Sequence, residues 1–369
     1  MDRSTNAKPG RRAVVAALVA LAGAVGCGGG GQTRLATANR AVPKELRALF
    51  PVVKDGKWGY IDKSGEIAIA PRFAAARAFS EGLAAVATGA GDNLTWGYVD
   101  QTGKLVVNPR FDEAAEFQSG LASVNVGGRT QRLSATRAVF RGGKYGYIDR
   151  SGKYIVEPKY DRAWSFSEGL AVVNVGGKDG FIDASGSFVI EPRFDFAGAF
   201  REGLAHVKVG DNYGYINSKG DMVIEPQFSD AWHFSEGLAA VKTRGPSGNN
   251  WGYIDKSGKV VIEPRLARTM SFSEGLAYAE VAGTTGFIDR AGRFAITVAN
   301  KLGLPVFSDG LACVWIGGKY GYVDPAGDIA IRPQFDEASA FSGGLARVTT
   351  AGKCGYIDTT GAYVWEPTR

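Results

Sequence analysis

Short apolar runs separated by turn residues recur along most of the chain, and they predict strands. In one representative unit, residues 238–241 (Leu-Ala-Ala-Val) are followed by 251–255 (Trp-Gly-Tyr-Ile-Asp) and then by 260–262 (Val-Val-Ile). In the middle run the two aromatic residues occupy alternate positions, so their side chains share one face of a strand. A proline follows the third run and ends it, because proline has no N–H to donate to a sheet. Each unit is therefore predicted to be a three-stranded antiparallel meander with a long return segment.

The middle run returns nine times, and most copies keep an aromatic residue, glycine, an aromatic residue, an aliphatic residue and aspartate. Its glycines are Gly59, Gly97, Gly146, Gly180, Gly214, Gly252, Gly286, Gly321 and Gly355. The intervals between them are 38, 49, 34, 34, 38, 34, 35 and 34 residues, which indicates a period of 34 with insertions. Units of this size cannot bury a core alone, so neighbouring units must pack on one another.

Two further motifs stay in step with the repeat. An Asp-x-Ser/Thr-Gly step follows most copies, as at Asp255 to Gly258, and it is typical of a hairpin turn in which Asp accepts backbone hydrogen bonds. One carboxylate beside a basic residue does not make a calcium loop. A Phe-Ser-Glu-Gly-Leu-Ala segment also recurs, and we expect its glutamate to pair with the basic residue after the proline, such as Arg193 or Arg265.

The third strands bear on how the units are arranged. Several are apolar at consecutive positions, as in Leu105, Val106 and Val107, which predicts burial on both faces. The chain is therefore predicted to be all-β, an array of about nine three-stranded β-meander repeats. A closed propeller-like or toroidal ring is favoured, and an open β-solenoid of hairpins is the alternative. A short lead-in helix is predicted over residues 43–49.

The units resemble WG repeats, also called KWG repeats, which are known in many bacterial proteins. The resemblance covers roughly residues 50–369, although Asp179, Thr285 and Cys354 replace the first aromatic residue of the motif. It implies a repeat scaffold of poorly defined function, and it supplies no catalytic residues.

The first residues have the features of an export signal. Arg11 and Arg12 precede an apolar run over residues 13–25, which is shorter than a membrane span. The run ends before Cys27 and a stretch of glycines, which resembles a bacterial lipoprotein signal with Cys27 as the lipid attachment site. We therefore expect a signal peptide over 1–26, a flexible tether over 27–44 and the repeat domain over 45–369. The protein is then held by its lipid at the periplasmic or outer-membrane face of the envelope, with plain secretion as the alternative.

Composition and charge exclude several classes of protein. Hydrophobic residues make up 45% of the chain and charged residues 22%, which suits a globular protein. The net charge of +6 is concentrated partly in the leader, so nucleic acid is not expected as a partner. Cys313 and Cys354 fall in consecutive repeats, so either a disulfide or two free thiols is compatible with the sequence. His206 and His233 have no third ligand in view, and neither a metal nor a cofactor is expected.

The insertions between repeats are the best functional lead in the sequence. They fall between the second and third copies, at 90–95 and at 245–250, and all three lengthen the same connection. The longest carries a candidate binding set for an acidic partner or a lipid head group: Arg129, Arg132, Arg137 and Arg141. We expect a non-catalytic scaffold that binds a protein or glycan, because no catalytic constellation is visible. A wall-directed hydrolase with a site in a central funnel and a purely structural envelope component are the alternatives.

Overall fold

The computed structural model describes residues 46–134, 137–245, 248–298 and 305–368. Within these ranges the regular structure is entirely β, arranged as nine small antiparallel sheets that follow one another along the chain. The nine sheets form a ring, a nine-bladed β-propeller. The predicted all-β class and the closed array are therefore confirmed, and the open solenoid is wrong. No helix among the described residues is long and apolar enough to cross a membrane.

Blades 1 to 3 contain the strands up to Tyr160. Blade 1 contains β1 (Phe50–Lys54), β2 (Lys57–Ile61) and β3 (Ile67–Phe73). Blade 2 contains β4 (Ala75–Ser80), β5 (Leu83–Ala90), β6 (Asn93–Asp100) and β7 (Leu105–Phe111). Blade 3 contains β8 (Glu113–Ala114), β9 (Leu121–Ser134), β10 (Arg137–Asp149) and β11 (Tyr154–Tyr160).

Blades 4 to 6 follow the same order. Blade 4 contains β12 (Arg162–Ala163), β13 (Ala171–Val175), β14 (Lys178–Ile182) and β15 (Phe188–Phe194). Blade 5 contains β16 (Phe196–Ala197), β17 (Ala205–Val209), β18 (Asn212–Ile216) and β19 (Met222–Phe228). Blade 6 contains β20 (Asp230–Ala231), β21 (Leu238–Gly245), β22 (Gly248–Asp255) and β23 (Val260–Leu266).

Blades 7 to 9 complete the ring. Blade 7 contains β24 (Arg268–Thr269), β25 (Ala277–Val281), β26 (Thr284–Ile288) and β27 (Phe294–Thr297). Blade 8 contains β28 (Phe307–Ser308), β29 (Leu311–Ile316), β30 (Lys319–Val323) and β31 (Ile329–Phe335). Blade 9 contains β32 (Glu337–Ala338), β33 (Leu345–Thr350), β34 (Lys353–Asp358) and β35 (Tyr363–Thr368).

Each blade after the first has four strands, one more than the predicted meander. The return segment supplies a short first strand, as where Arg162 and Ala163 pair with Asn174 and Val173. This strand was missed because in most blades it is only two residues long and carries no periodic pattern. The predicted helix is also wrong over its described part, since residues 46–49 have no helical structure.

The repeated motif has a separate role for each residue, and blade 6 shows them. Gly252 lies beneath Pro264 of the fourth strand, where a side chain would not fit. Tyr253 is fully buried, and its hydroxyl donates to the carbonyl of Met270 in the next blade at 2.5 Å. Ile254 is buried against the preceding blade. Asp255 accepts from the backbone N–H groups of the turn that follows, as predicted for a turn residue.

The recurring glutamate is structural, but its predicted partner is wrong. Glu236 lies in the turn between the first and second strands, and its carboxylate accepts from the N–H of Gly275 in the next blade at 3.1 Å. Arg290 contacts the same carboxylate. Arg193 and Arg265 instead donate to turn carbonyls of the next unit, those of Gly220 and Gly292.

The fourth strands are not buried on both faces. Val107 is buried, but Val106 next to it is 40% exposed, and Val189 and Val261 are each 44% exposed. The consecutive apolar residues therefore do not explain the face-to-face packing. That packing comes from the second and third strands, whose alternate side chains face the two neighbouring blades, together with the buried residues of the fourth strand such as Val107 and Phe111.

The ring closes where blade 9 meets blade 1. Tyr356 packs on Phe50 with ring centroids 5.8 Å apart, and its hydroxyl donates to the carbonyl of Pro51 at 2.9 Å. Val52 and Leu345 complete the buried cluster at this seam. The motif tyrosine that joins most successive blades is thus also used across the ends of the chain, but its acceptor here is a carbonyl of β1, because blade 1 has no short first strand.

Candidate ligand-binding rim

One end of the ring carries the connections between the second and third strands of each blade, and we call it the hairpin rim. All three insertions lengthen hairpins on this rim: β5–β6, β9–β10 and β21–β22. The expectation that they emerge on one side is consistent with this placement, because a meander puts alternate turns at opposite ends of its sheet.

The predicted arginine set falls in the longest hairpin. Arg129 is exposed and lies directly across from Arg141 in the strand register, while Arg132 pairs with Ala138 and Arg137 with Ser134. The structure thus places the backbone of all four arginines in one two-stranded arm. The side chains of Arg132, Arg137 and Arg141 lie outside the described residues, as does Cys27.

A row of cross-strand pairs runs around the hairpin rim, one pair in each blade. Each pair joins the second strand to the residue that opens the repeated motif on the third. The pairs in the described part of the chain are Val53–Trp58, Ala87–Trp96, Asn125–Tyr145, Asn174–Asp179, Lys208–Tyr213, Lys242–Trp251, Glu280–Thr285, Trp315–Tyr320 and Thr349–Cys354. Among these nine pairs, a lysine faces an aromatic ring in blades 5 and 6 alone.

In both of these blades the lysine contacts the ring it faces. The ammonium of Lys208 lies 5.7 Å from the ring centre of Tyr213, and that of Lys242 lies 5.7 Å from the ring centre of Trp251. These distances are within the range of a cation–π contact. All four side chains are partly exposed, so each pair offers a cation and an aromatic surface together.

Additional aromatic residues extend this surface over blades 4 to 6. Trp164 packs edge-on against Phe196 at 6.2 Å, and Phe196 contacts both His206 and Tyr213. Trp232 packs against Trp251 at 6.2 Å. We call this surface the aromatic arc: Trp164, Phe196, His206, Lys208, Tyr213, Asp230, Trp232, Lys242 and Trp251.

Trp164 and Trp232 directly follow the first strands of blades 4 and 6, at a position where the repeat does not require tryptophan. The carbonyl of Trp164 accepts the tyrosine hydroxyl of the preceding blade, and so does the carbonyl of Trp232. At the same position other blades have Arg77, Ala115, Met270 and Ser339. The side chain at this position can pack on the first aromatic residue of the motif, as Trp232 does on Trp251 and Arg77 on Trp96, whereas Trp164 keeps 40% of its surface exposed.

Burial shifts the pKa of Asp230 and of His206, two of the titratable groups within the arc. Burial raises the pKa of Asp230 above its usual value, although Lys242 and Lys208 act in the opposite direction. Burial also lowers the pKa of His206 to about 3, with a smaller contribution from His233. Gly198 makes room for the His206 ring, because a Cβ there would overlap it. His206 is therefore neutral near pH 7, and the lysines dominate the charge of the arc.

Other features of the described residues offer less chemistry. No group of three or more metal-ligating side chains occurs in them. Cys313 and Cys354 are both free thiols there, so they form no disulfide with each other. An open groove of about 590 Å³ lies between the fourth strands of blades 2 and 3, lined by Arg110, Lys153 and Glu157 among others.

The arc is not evident in the sequence because its members are far apart and its tryptophans at 164 and 232 belong neither to the shared motif nor to an insertion. The signal was present in the register of the repeats. Aligning the copies on their conserved tyrosines brings Trp164 and Trp232 to a position where other copies have unrelated residues. Such large aromatic side chains at a non-repeated, exposed position are the feature that sequence reasoning could have used.

Known protein folds with similar architecture were found at low sequence identity. Dipeptidyl peptidase 4 from Porphyromonas gingivalis matches 80% of this chain and 59% of its own at a TM-score of 0.52 and 10% identity. Dihydro-heme d1 dehydrogenase NirN matches 81% of this chain and 75% of its own at a TM-score of 0.43 and 16% identity. At 10% identity the likeness to dipeptidyl peptidase 4 concerns the fold alone. No curated protein sequence is a significant match to this chain.

A family model described as the WG containing repeat matches more than half of the chain. It matches residues 58–89, 96–129, 145–178, 180–213, 213–245, 251–284 and 320–354. It gives no separate match to the copies that begin at Thr285 and Cys354, which lack the first aromatic residue of the motif. The chain belongs to the family of WG-repeat proteins.

Proposed function

We propose that the protein is a non-catalytic envelope lipoprotein whose ring of WG repeats binds a protein or glycan partner. The observation that carries this proposal is the placement of two features that differ between the repeats. The extended hairpins and the lysines of the aromatic arc, Lys208 and Lys242, lie on the hairpin rim, and neither belongs to the repeated motif. Exposed aromatic side chains interleaved with cations are typical of binding surfaces.

The repeated carboxylates do not favour the hydrolase alternative. Glu81, Glu168 and Glu202 each accept a hydrogen bond from the glycine N–H of the next blade, those of Gly120, Gly203 and Gly237. A carboxylate used in this way is part of the blade-to-blade packing. The proposed role of the protein is therefore binding, and a purely structural component would need no such arc.

The lipid anchor is tested by replacing Cys27 with serine. We expect the wild-type protein in the membrane fraction and the Cys27→Ser protein in the soluble envelope fraction, because serine has no thiol to accept the lipid. Fractionation with immunoblotting measures the distribution. Cys313→Ser is the matched control and should leave the protein on the membrane. Continued membrane association of Cys27→Ser would contradict lipid attachment.

The binding rim is tested by shortening the longest hairpin. Residues 127–143 would be replaced by Gly-Gly, which is the connection that blade 4 uses at Gly176 and Gly177. We expect the shortened protein to lose a partner that wild-type protein captures from envelope extract, while its thermal unfolding changes little. The control shortens the β5–β6 hairpin of blade 2 in the same way. Identical captured partners in all three proteins would contradict a role for the long hairpin.

A further inference from the structure

We propose that the aromatic arc binds an acidic polysaccharide, a chain of sugars that carry carboxylates, with one sugar at each lysine–aromatic pair. This proposal rests on the proposed binding function and names the ligand class. Its basis is the local geometry of blades 5 and 6, where a lysine ammonium lies over the ring of a partly exposed aromatic residue twice in succession.

The chemistry of one pair suits one acidic sugar. The apolar C–H face of a sugar ring packs on an aromatic ring, and a carboxylate on the same sugar is attracted to a neighbouring ammonium. Lys208 with Tyr213 and Lys242 with Trp251 provide these two groups at the same separation of 5.7 Å. Both lysines are partly exposed, and each lies near Asp230, where they act to lower the pKa that burial raises.

The repetition favours a polymer over a protein partner. The two pairs occupy equivalent positions in consecutive blades, at Lys208 and Lys242 of the second strands. A ligand that meets the same cation and ring twice is itself expected to repeat, as a polysaccharide does and a folded protein surface does not.

Charge and the flanking tryptophans support the same ligand. Asp230 is the one carboxylate of the arc, and it is partly buried between the two lysines. The exposed Asp195 next to Lys208 is paired with Lys178, so Lys208 and Lys242 give the arc more positive than negative charge. Trp164 is 40% exposed and Trp232 is partly exposed, so they extend the stacking surface on both sides of Tyr213. A chain of several sugars could contact all of these rings at once.

The test measures binding of the purified full-length protein to polygalacturonate by isothermal titration calorimetry, with neutral dextran as the comparison polymer. We expect the wild-type protein to bind polygalacturonate, more weakly as salt is raised, and not to bind dextran. Lys208→Gln with Lys242→Gln is expected to weaken binding by about tenfold. Trp164→Ala is expected to weaken it by about fivefold.

The matched control is Trp315→Ala. Trp315 is 37% exposed on the same rim, close to the exposure of Trp164, but it lies in blade 8 outside the arc. We expect it to leave the affinity unchanged, and circular dichroism melting of every variant would confirm that the ring is folded. Failure of polygalacturonate to bind, or an equal loss in Trp315→Ala, would overturn the proposal. If the long hairpin still captures an envelope partner in that case, the proposed function stands without this ligand class.

Discussion

Replacing Gly252 by alanine is expected to lower the free energy of unfolding by about 3 kcal/mol. A Cβ at this position would lie 2.5 Å from the carbonyl oxygen of Ile262 and 2.9 Å from the nitrogen of Pro264. Both atoms belong to the backbone of the fourth strand, so no side-chain rotation can relieve the overlap. The strand would have to move away from the third strand and weaken its pairing. Chemical denaturation followed by tryptophan fluorescence measures the change.

The control for this experiment is Gly317→Ala. Gly317 has a φ of 60° and no atom within 4 Å of a Cβ, so alanine there is strained only by its left-handed backbone. That strain costs about 1 kcal/mol. A loss at Gly252 no larger than the loss at Gly317 would show that close approach of the two strands is not why the motif has glycine.

The repeat made most of the fold predictable from the sequence. Asp255 and Gly258 mark a hairpin turn, and the alternate residues Trp251 and Tyr253 share a face, because both features follow from local chemistry. Nine copies of the same pattern then fix the number of blades. The partner of Glu236 could not be deduced in this way. It depends on the rotation between neighbouring blades, which brings the N–H of Gly275 within hydrogen-bond distance of Glu236. Arg265 donates instead to the carbonyl of Gly292 in the next blade.

The candidate site was predictable only in part. The insertions predicted which rim differs between blades, because an insertion can be recognised from the spacing of the repeats alone. The arc was not predicted because its members are far apart in the sequence. Trp164 and Phe196 meet only after blades 4 and 5 pack, and nothing near either residue indicates the other. Contacts between blades require the ring itself, whereas contacts within a hairpin are encoded locally.

The seam between the first and last blades is expected to be the point where the ring opens. Tyr356→Ala removes the hydrogen bond to Pro51 and the packing on Phe50, and it should lower the free energy of unfolding by about 3–5 kcal/mol. Blades 9 and 1 have no chain connection across this interface, whereas other neighbouring blades are consecutive in the sequence. Once the Tyr356 contacts are lost, the two blades are held by the rest of the seam cluster, Val52, Ile61 and Leu345, with no chain connection to support it. Hydrogen exchange should therefore show faster exchange in β1 and β2 while blades 4 to 6 stay protected.

Tyr322→Ala is the matched control, because Tyr322 occupies the same position one blade earlier. It is buried, it donates to the carbonyl of Ser339 at 2.7 Å, and its ring packs on Phe341 at 4.8 Å. Its removal should cost a similar free energy, but β31 and β32 keep blades 8 and 9 tethered, so no opening at the seam is expected. Equal protection of β1 and β2 in both variants would mean that chain continuity does not matter. The ring would then be closed as firmly at its ends as it is between any two of its consecutive blades.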